Sequence, residues 1–316
     1  MIKVFVDGQE GTTGLQIHER LTKRNDVEIL QIEPELRKDP TAKSELLNAA
    51  DVAFLCLPDF AARESAKLVS NPNTIVIDAS TAHRTQDDWV YGLPELSAQQ
   101  NEAIKQAKRI ANPGCYASGF LLAVAPLVQV GLLQKSAQLV CHAVSGYSGA
   151  GKQLIAEYEA PGAQQSSPGE SPKLFAPRHY ALALQHKHLP EMKLHAGLDF
   201  DPLFSPAVGP YYKGMAVNVS FFKSQTNACN CVTIKDIAEQ LAAHYHGQEY
   251  VKVMPYSETP DLEGGFLNPT ACNDTNNALI YVFGHDEQIQ ISVILDNLGK
   301  GASGAAVQNM DLALGI

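Results

Sequence analysis

The sequence predicts an α/β protein in which a doubly wound parallel sheet is joined to a second domain of the α+β class. Three observations support this prediction. Short apolar runs alternate with helical patterns through the first third of the chain, a glycine-rich turn follows the first run, and the strands lengthen from about Gln138. Alternation of helices with continuously apolar strands is typical of a parallel sheet covered on both faces.

The first third supplies the strands and helices of the parallel sheet. The strands are predicted from apolar, β-branched runs, and the helices from apolar residues that recur at helical spacing. The predicted strands span residues 2–7, 27–32, 51–58 and 74–79, and the predicted helices lie near 14–24, 41–49 and 60–70.

The region after Gln138 predicts an antiparallel or mixed sheet. Its strands are QLVCHAV, MAVNVSFF, ALIYVF and QIQISVIL, with a hairpin turn at Asp286 and Glu287. Its clearest helix spans 234–245, and residues 162–178 predict a long surface loop or lid because they are rich in Gly, Ser, Pro and Gln. The helix has a stripe predicted to be core, made of Ile234, Ile237, Ala238, Leu241, Ala242 and Tyr245.

Composition and charge limit the possible partners. The 316 residues are 45% hydrophobic and 18% charged, as in ordinary globular proteins. The net charge of -10 argues against nucleic acids and anionic membranes, which would meet a repulsive field. The chain has neither a signal-peptide pattern at its start nor a run of eighteen apolar residues. We therefore expect a soluble, cytoplasmic protein.

The six cysteines indicate neither a disulfide framework nor a metal site, because no C-x-x-C spacing repeats. Cys229 and Cys231 would supply only two of the four ligands of a zinc site, so no metal is predicted. Cys56 and Cys141 lie among aliphatic residues within predicted strands, which is typical of packing residues.

The turn VDGQEGTTGLQI is a candidate dinucleotide site. Gly8, Gly11 and Gly14 lie between the first strand and the first helix, where backbone N–H groups can approach a pyrophosphate. The spacing G-x-x-G-x-x-G differs from the commoner Rossmann pattern, and a plain glycine turn is the alternative. Its position at the start of a doubly wound sheet favours a Rossmann-type site.

The residues after the second strand leave the choice between NAD and NADP open. Glu33 would favour a ribose diol, whereas Arg37 or Lys38 would pair with a 2′-phosphate. The two basic residues favour NADP.

Cys115 is the candidate nucleophile. Asn112-Pro113-Gly114 predicts a turn, and a strongly apolar helix is predicted to follow. A sulfur at a helix N-terminus is favoured as thiolate by the helix dipole and by free N–H groups. The alternative is a buried packing cysteine.

His186 and His188 are candidate acid/base groups for such a cysteine. Because Pro190 disfavours a helix, we predict extended backbone here, with both histidines on one face. A surface or core role for either histidine is the alternative.

Further candidates lie in loops at the ends of predicted strands. Arg84, in DASTAHR after the fourth strand, could hold an anion, although a surface arginine is equally consistent. Glycine-serine turns at 144–152 and 298–304 are weaker signals.

Together these segments resemble the N-acetyl-γ-glutamyl-phosphate reductases in their shorter form. The resemblance covers essentially the whole chain in order, and the combination of N-P-G-C-Y with H-x-H-x-P-E is highly specific. It is carried by G-x-x-G-T-T-G in the first turn, N-P-G-C-Y at 112–116, S-G-Y-S-G-A-G-K at 145–152, H-K-H-L-P-E at 186–191 and D-N-L-G-K-G-A-S-G at 296–304.

The resemblance implies a chemistry and a set of site residues. The family is grouped with the aspartate-semialdehyde dehydrogenases and reduces an acyl phosphate to an aldehyde with NADPH, in arginine biosynthesis. Cys115 would be the nucleophile and His188 the acid/base. The implied substrate-binding residues are Arg84, Asn112, Tyr180, His186 and Lys213. The implied cofactor-binding residues are Gly8, Gly11, Thr12, Thr13, Gly14, Arg37, Ser80, Ser145, Gly146, Gly149, Asn297 and Gly301.

The resemblance also implies an organisation in domains and an assembly. Residues 1–114 and 302–316 would form the NADP-binding domain, and residues 115–301 the catalytic and dimerisation domain. The protein would act on a small acyl phosphate as a homodimer or homotetramer.

The sequence departs from the family pattern at three places. Ala117 stands where proline is common, and Lys213 stands where the longer form usually has arginine. The stretch ALALQ before the histidines lacks the glycines of the longer form, which bears on the assignment of Tyr180.

Two alternative functions are consistent with parts of the pattern. The first is an aspartate-semialdehyde dehydrogenase or another acyl-phosphate reductase of the same superfamily. The second is a cofactor-binding regulatory or structural protein in which Cys115 is inert. The reactivity of Cys115 with iodoacetamide distinguishes such a protein from an enzyme.

Overall fold

A computed structural model describes residues 1–162, 174–227, 232–257 and 262–316. Its helices are α1 Thr12–Leu21, α2 Pro40–Ala49, α3 Asp59–Lys67, α4 Ala98–Gln106, α5 Cys115–Gln129, α6 Lys152–Glu159, α7 Leu189–Ala196, α8 Ile234–His244 and α9 Gly304–Leu314. Its strands are β1 Ile2–Asp7, β2 Val27–Leu30, β3 Val52–Leu55, β4 Ile75–Asp78, β5 Val90–Tyr91, β6 Arg109–Ala111, β7 Val140–Gly146, β8 Arg178–His179, β9 Leu203–Gly209, β10 Met215–Phe222, β11 Val251–Val253, β12 Ala278–His285 and β13 Gln288–Leu295.

The chain divides into two compact units. Unit 1 comprises Met1–Gly114 and Ala302–Ile316, and unit 2 comprises Cys115–Gly301. Most of the predicted loop at 162–178, together with Cys229 and Cys231, lies outside the described residues.

Unit 1 is built on a parallel sheet with the strand order β2-β1-β3-β4-β6-β5. Successive residues of β1 enter different apolar clusters, Val4 and Val6 in one and Phe5 in the other. The sheet is therefore buried on both faces, which explains why its strands are continuously apolar. The predicted doubly wound sheet is confirmed, with strands a few residues shorter than the apolar runs.

Unit 2 is built on a mixed sheet with the strand order β11-β12-β13-β10-β7-β9-β8. The strands β7 and β9 run parallel, and β10 pairs antiparallel with both β7 and β13. The predicted hairpin is confirmed, because β12 and β13 pair antiparallel with His285 opposite Gln288. The predicted mixed sheet is therefore confirmed as well.

Helix α5 packs against β10 and β13 and is buried from Tyr116 to Val128. Gly119 permits this close packing, since a Cβ at that position would lie 2.6 Å from Val217 Cγ2 on β10. Helix α8 has the predicted buried stripe except for Ala242, which is exposed. Ala242 was therefore wrongly included in the core.

The two packing cysteines differ in position. Cys141 is buried in β7 as predicted. Cys56 follows β3 instead of lying within it and is half-buried, so its placement in mid-strand was wrong.

Replacing Gly119 with alanine tests the contact between α5 and β10. Within a helix this change normally stabilises by about 0.5–1 kcal/mol. Here we expect a loss of about 1–3 kcal/mol in the free energy of unfolding, because the new methyl group overlaps Val217. Denaturant unfolding measures the difference, and a stabilised variant would contradict the packing described.

Candidate active site

Cys115 is the first residue of α5, immediately after the Asn112-Pro113-Gly114 segment. The predicted placement of its sulfur at a helix N-terminus is thus confirmed. Cys115 is half-buried, whereas Cys141 and Cys272 are buried, and no disulfide joins any of the four described cysteines. A partly accessible sulfur at a helix N-terminus has the environment of a reactive thiol.

Gly301 packs directly against the cysteine. A Cβ on Gly301 would lie 2.7 Å from Cys115 Cβ. The π-helical turn Gly299–Ser303 contains this glycine, and the carbonyl of Asp296 accepts hydrogen bonds from the amides of Gly299 and Gly301. The predicted cofactor residue Gly301 therefore leaves the space that Cys115 occupies.

The histidine pair lies at the start of α7, on a bend instead of the predicted extended backbone. His188 precedes the helix with φ −88° and ψ −10°, and Pro190 is accommodated in the first turn. Proline is tolerated there because the first amides of a helix have no partner within the helix, so the prediction from Pro190 was wrong. The His188 amide donates to His186 Nδ1 at 3.1 Å, which places the proton of a neutral His186 ring on Nε2.

Glu191 lies one turn from His188, and no role was predicted for it. Its Oε1 lies 3.9 Å from His188 Nε2, too far for a hydrogen bond but close enough for attraction to an imidazolium. Both side chains are buried. The i,i+3 spacing after His188 was the signal that could have identified Glu191.

Two tyrosines complete this cluster. Tyr180 Oη donates to Tyr116 Oη at 3.0 Å. Burial raises the pKa of both phenols, and the charge of nearby Cys115 raises both pKa values further. The structure thus brings Tyr180 and the two histidines to the start of α5. All three contact Tyr116, for which the sequence analysis predicted no role.

The Tyr116 ring is the common neighbour of the cluster. Its centroid lies 5.7 Å from that of His186, 5.9 Å from that of His188 and 5.2 Å from that of Phe204. The nearby hydroxyl of Ser145, a predicted cofactor residue, opposes the rise in the pKa of the Tyr116 phenol.

The other cofactor-binding residues predicted in unit 2 connect neighbouring loops by hydrogen bonds and close packing. Asn297 accepts from the Gly214 amide at 2.8 Å and donates to Ser148 Oγ at 3.0 Å. A Cβ on Gly146 would lie 2.5 Å from the Tyr212 carbonyl oxygen, and one on Gly149 would lie 3.3 Å from Asn297 Nδ2. These residues therefore hold their loops together at close range.

Lys213 pairs with Asp274, a neighbour that the sequence did not indicate. The pair is partly exposed at Lys213 and largely exposed at Asp274. Such a pair is weak in solvent, so the ammonium group can exchange partners.

Arg84 and Asn112 lie in unit 1 and hold the segment that precedes Cys115. Arg84 Nε donates to the Asn112 carbonyl at 2.9 Å, and its terminal nitrogen donates to the Ala79 carbonyl at 3.1 Å. The Asn112 side chain donates to the Ala302 carbonyl and accepts from Asn309. Both side chains are buried, so the predicted surface alternative for Arg84 is wrong.

Ser80 belongs to a buried polar cluster at the end of β4. Its hydroxyl donates to Asp78 Oδ2 at 2.7 Å, and His83 Nδ1 lies 2.7 Å from the same oxygen. Asp78 is fully buried and had no assigned role in the sequence. Its contacts fix the loop that contains Ser80.

The glycine turn after β1 has the geometry of a dinucleotide cradle. Gly8 adopts φ +89°, and a Cβ on Gly14 would lie 2.3 Å from the Gly8 carbonyl oxygen. Among the residues that the structure describes, no side chain caps α1 at Gly11, and Thr12 Oγ1 is buried with no hydrogen-bond partner. An uncapped helix N-terminus with an unpartnered hydroxyl fits a phosphate group, and the predicted Thr13 lies in the same turn.

Arg37 lies beside this turn, where it pairs with Glu10. Its Nε is buried and has no hydrogen-bond partner within the described part of the chain. Glu33 lies three residues beyond the end of β2, immediately before a 3₁₀ turn, instead of at the strand end as predicted.

Comparisons with known proteins establish the family. The chain matches the families described as "Semialdehyde dehydrogenase, NAD binding domain" over residues 3–107 and "Semialdehyde dehydrogenase, dimerisation domain" over residues 115–297. N-acetyl-gamma-glutamyl-phosphate reductase of Burkholderia lata is 46% identical, with the alignment covering 99% of this chain and 96% of that protein. The chain belongs to the N-acetyl-γ-glutamyl-phosphate reductase family. The resemblance stated from the sequence is thereby confirmed.

Other members of the reductase family are equally similar. N-acetyl-gamma-glutamyl-phosphate reductase 2 of Nostoc sp. is 45% identical over 99% of this chain and 97% of that protein. The reductase of Chelativorans sp. is 45% identical over 99% of this chain and 98% of that protein. The similarity therefore extends over both units.

Solved structures confirm the fold of the family member. Aspartate semialdehyde dehydrogenase of Francisella tularensis superposes with a TM-score of 0.73 at 16% identity, covering 100% of both chains. Aspartate semialdehyde dehydrogenase II of Vibrio cholerae, complexed with ASA, gives 0.69 at 18% identity, covering 99% of this chain and 98% of that one. In the described part of the chain, no helix has the length and apolar character needed to cross a membrane.

The environment of Cys115 predicts its reactivity relative to the other described thiols. Burial raises the pKa of Cys272 to about 11 and raises the pKa values of Cys56 and Cys141 as well. These groups stay protonated at pH 7, whereas the helix N-terminus favours the Cys115 thiolate. Iodoacetamide at pH 7, followed by peptide mass mapping over time, should modify Cys115 first. Labelling of Cys56 at an equal rate would contradict this assignment.

Proposed function

We propose that the chain catalyses the NADPH-dependent reduction of N-acetyl-γ-glutamyl phosphate to N-acetylglutamate semialdehyde and phosphate, in arginine biosynthesis. Membership of the reductase family makes it an NADP-dependent, aldehyde-forming oxidoreductase. The observation that carries the proposal is Cys115 at the N-terminus of α5, with two histidines and two tyrosines around its first turn. Aspartate-semialdehyde dehydrogenase activity is less well supported, since those proteins match at 18% identity or less.

The first step of the mechanism is acyl transfer to Cys115. The thiolate sulfur attacks the carbonyl carbon of the acyl phosphate, and the bond from this carbon to the phosphate oxygen breaks. Phosphate leaves with the electron pair and takes up the proton that the overall reaction consumes. The product is a thioester on Cys115. The α5 N-terminus stabilises the thiolate before attack and supplies amide donors for the oxyanion.

The second step releases the aldehyde. NADPH, when bound, supplies the hydride that reduces the thioester carbon. His188 donates a proton to the resulting oxyanion and takes it back when the carbon-sulfur bond breaks, which regenerates the Cys115 thiolate. The Glu191 carboxylate, 3.9 Å from His188 Nε2, stabilises the protonated form of the ring.

Substrate recognition is assigned to the five residues that the resemblance implies. Tyr180 and His186 are supported by their contacts beside Cys115. Arg84 and Asn112 follow the carboxyl ends of β4 and β6, the edge where such sheets bind ligands, although their described contacts are to the protein itself. Lys213 would have to release Asp274 to bind an anion.

Cofactor binding is assigned to the glycine turn of unit 1, with the pyrophosphate at the N-terminus of α1. Thr12 Oγ1 would donate to it, and Arg37 would leave Glu10 to pair with the 2′-phosphate. Ser80, Ser145, Gly146, Gly149 and Asn297 would act by shaping their loops, since their contacts are within their own units.

We also propose an assembly and a location for the protein. We assign a homodimer or homotetramer, because residues 115–297 match a family described as a dimerisation domain. A cytoplasmic location is supported by the lack of disulfides among the four described cysteines, which is typical of a reducing compartment.

The reverse reaction tests the substrate assignment. With phosphate present, NADP should be reduced far faster with N-acetylglutamate semialdehyde than with aspartate semialdehyde, because the two differ at the groups that a binding site recognises. Absorbance of NADPH measures both rates. A preference for aspartate semialdehyde would overturn the proposed function.

Replacing His188 with asparagine tests its role as acid/base. We expect kcat to fall by roughly 100-fold or more with little change in KM, since general acid/base catalysis contributes about 10²–10⁴-fold. His285→Asn, at the exposed end of β12, is the control and should retain the wild-type rate. A raised KM with unchanged kcat would instead assign His188 to substrate binding.

Alanine at Gly14 and at Gly11 tests the cradle. The Gly14→Ala methyl would overlap the Gly8 carbonyl, whereas a methyl at Gly11 would lie an ordinary 3.5 Å from its nearest neighbour. We expect Gly14→Ala to lower NADPH affinity by roughly 10- to 100-fold, since a displacement of about 1 Å has effects of that size. Gly11→Ala should stay much closer to wild type. Fluorescence titration measures both, and equal affinities would contradict the assignment.

A further inference from the structure

Tyr116, the residue after the nucleophile, has no role in the proposed mechanism, yet it contacts Tyr180, His186 and His188, which have one. It is 4% exposed and lies in the first turn of α5. Its phenol oxygen accepts a hydrogen bond from Tyr180 at 3.0 Å. A buried hydroxyl held in this way fixes the direction of its partner.

The Tyr116 ring supports the histidines in the same way. It meets His186 almost perpendicularly, at 88° with 5.7 Å between ring centroids, and it meets Phe204 at 65° and 5.2 Å. His186 itself packs edge-on against Phe204 at 5.0 Å. His186 is therefore held between two aromatic rings in a favourable arrangement.

The segment that these contacts hold is strained. Two residues between Tyr180 and His186 that are not glycine adopt left-handed backbone, Ala181 with φ +53° and Leu184 with φ +56°. Residues with a side chain occupy this region at a cost and persist there only when their surroundings fix them. The backbone of the segment is held by the Tyr180 amide on the Pro206 carbonyl and by a turn from Leu184 to Ala181. Side-chain anchoring must come from Tyr180 and His186.

We propose that Tyr116 is a positioning residue that acts through Tyr180 and His186. Its hydroxyl orients the Tyr180 phenol, and its ring holds the strained segment 180–186 against the start of α5. The substitution Tyr116→Phe retains the ring and removes only the hydroxyl. This inference rests on the proposed function in one respect, because the proposed function assigns substrate contact to Tyr180 and His186.

A double-mutant cycle tests the proposal. We expect Tyr116→Phe to lower kcat/KM by about 2- to 12-fold, the range for one hydrogen bond between neutral groups, chiefly through KM. Tyr180→Phe should cost at least as much, and the double variant should be no worse than Tyr180→Phe alone. Effects that multiply, or a Tyr116→Phe variant with wild-type kinetics, would overturn the proposal.

A matched control separates positioning from stability. Tyr245 is also buried in unit 2, and its hydroxyl donates to the Leu122 carbonyl at 2.8 Å. Tyr245→Phe removes a comparable hydrogen bond and should lower the thermal midpoint by a similar amount without changing kcat/KM. A kinetic loss in Tyr245→Phe equal to that in Tyr116→Phe would show a merely structural effect and would overturn the proposal.

A readout without substrate separates this inference from the proposed function. Diethyl pyrocarbonate should modify His186 faster in Tyr116→Phe than in wild type, because the segment opens more often, and at the wild-type rate in Tyr245→Phe. An unchanged His186 rate in Tyr116→Phe would overturn the proposal. If the wild type prefers aspartate semialdehyde, the proposed substrate fails, and the cycle is measured with that substrate and judged by the same criteria.

Discussion

The start of a buried helix determines where the Cys115 sulfur lies. Helix α5 is buried from Tyr116 to Val128 and packs against β10 and β13, so it cannot slide along its axis without losing that packing. Cys115 is its first residue and therefore lies where backbone amides have no partners within the helix. Gly301 adds a second constraint, since a larger residue there would overlap Cys115 Cβ.

The groups around the first turn of α5 come from distant parts of the sequence. Tyr116 is on α5, Ser145 is near the end of β7, and His188 immediately precedes α7. The mixed sheet and its helices bring them together, and the aromatic rings fill the space between them. Within unit 1 the polar residues Asp78, Arg84 and Asn112 instead bind loops to one another, which holds the chain leading into α5.

Much of this arrangement could be predicted from the sequence because it follows from local patterns. Continuous apolar strands indicated a sheet buried on both faces, and Asn112-Pro113-Gly114 indicated the helix start at Cys115. The helix start after His188 was not predicted, because proline disfavours a helix in general. The first turn of α7 nevertheless accommodates Pro190. The roles of Tyr116 and Gly301 depend on contacts between distant residues, which periodicity does not report.

The central claim is that Cys115 accepts the acyl group, and trapping that intermediate tests it most directly. The protein is mixed with N-acetyl-γ-glutamyl phosphate in the absence of NADPH, quenched in acid, and analysed by intact mass and peptide mapping. We expect one N-acetylglutamyl group on the Cys115 peptide, and hydroxylamine should release it as it does a thioester. Turnover with NADPH, combined with no adduct or with an adduct on another residue, would contradict it.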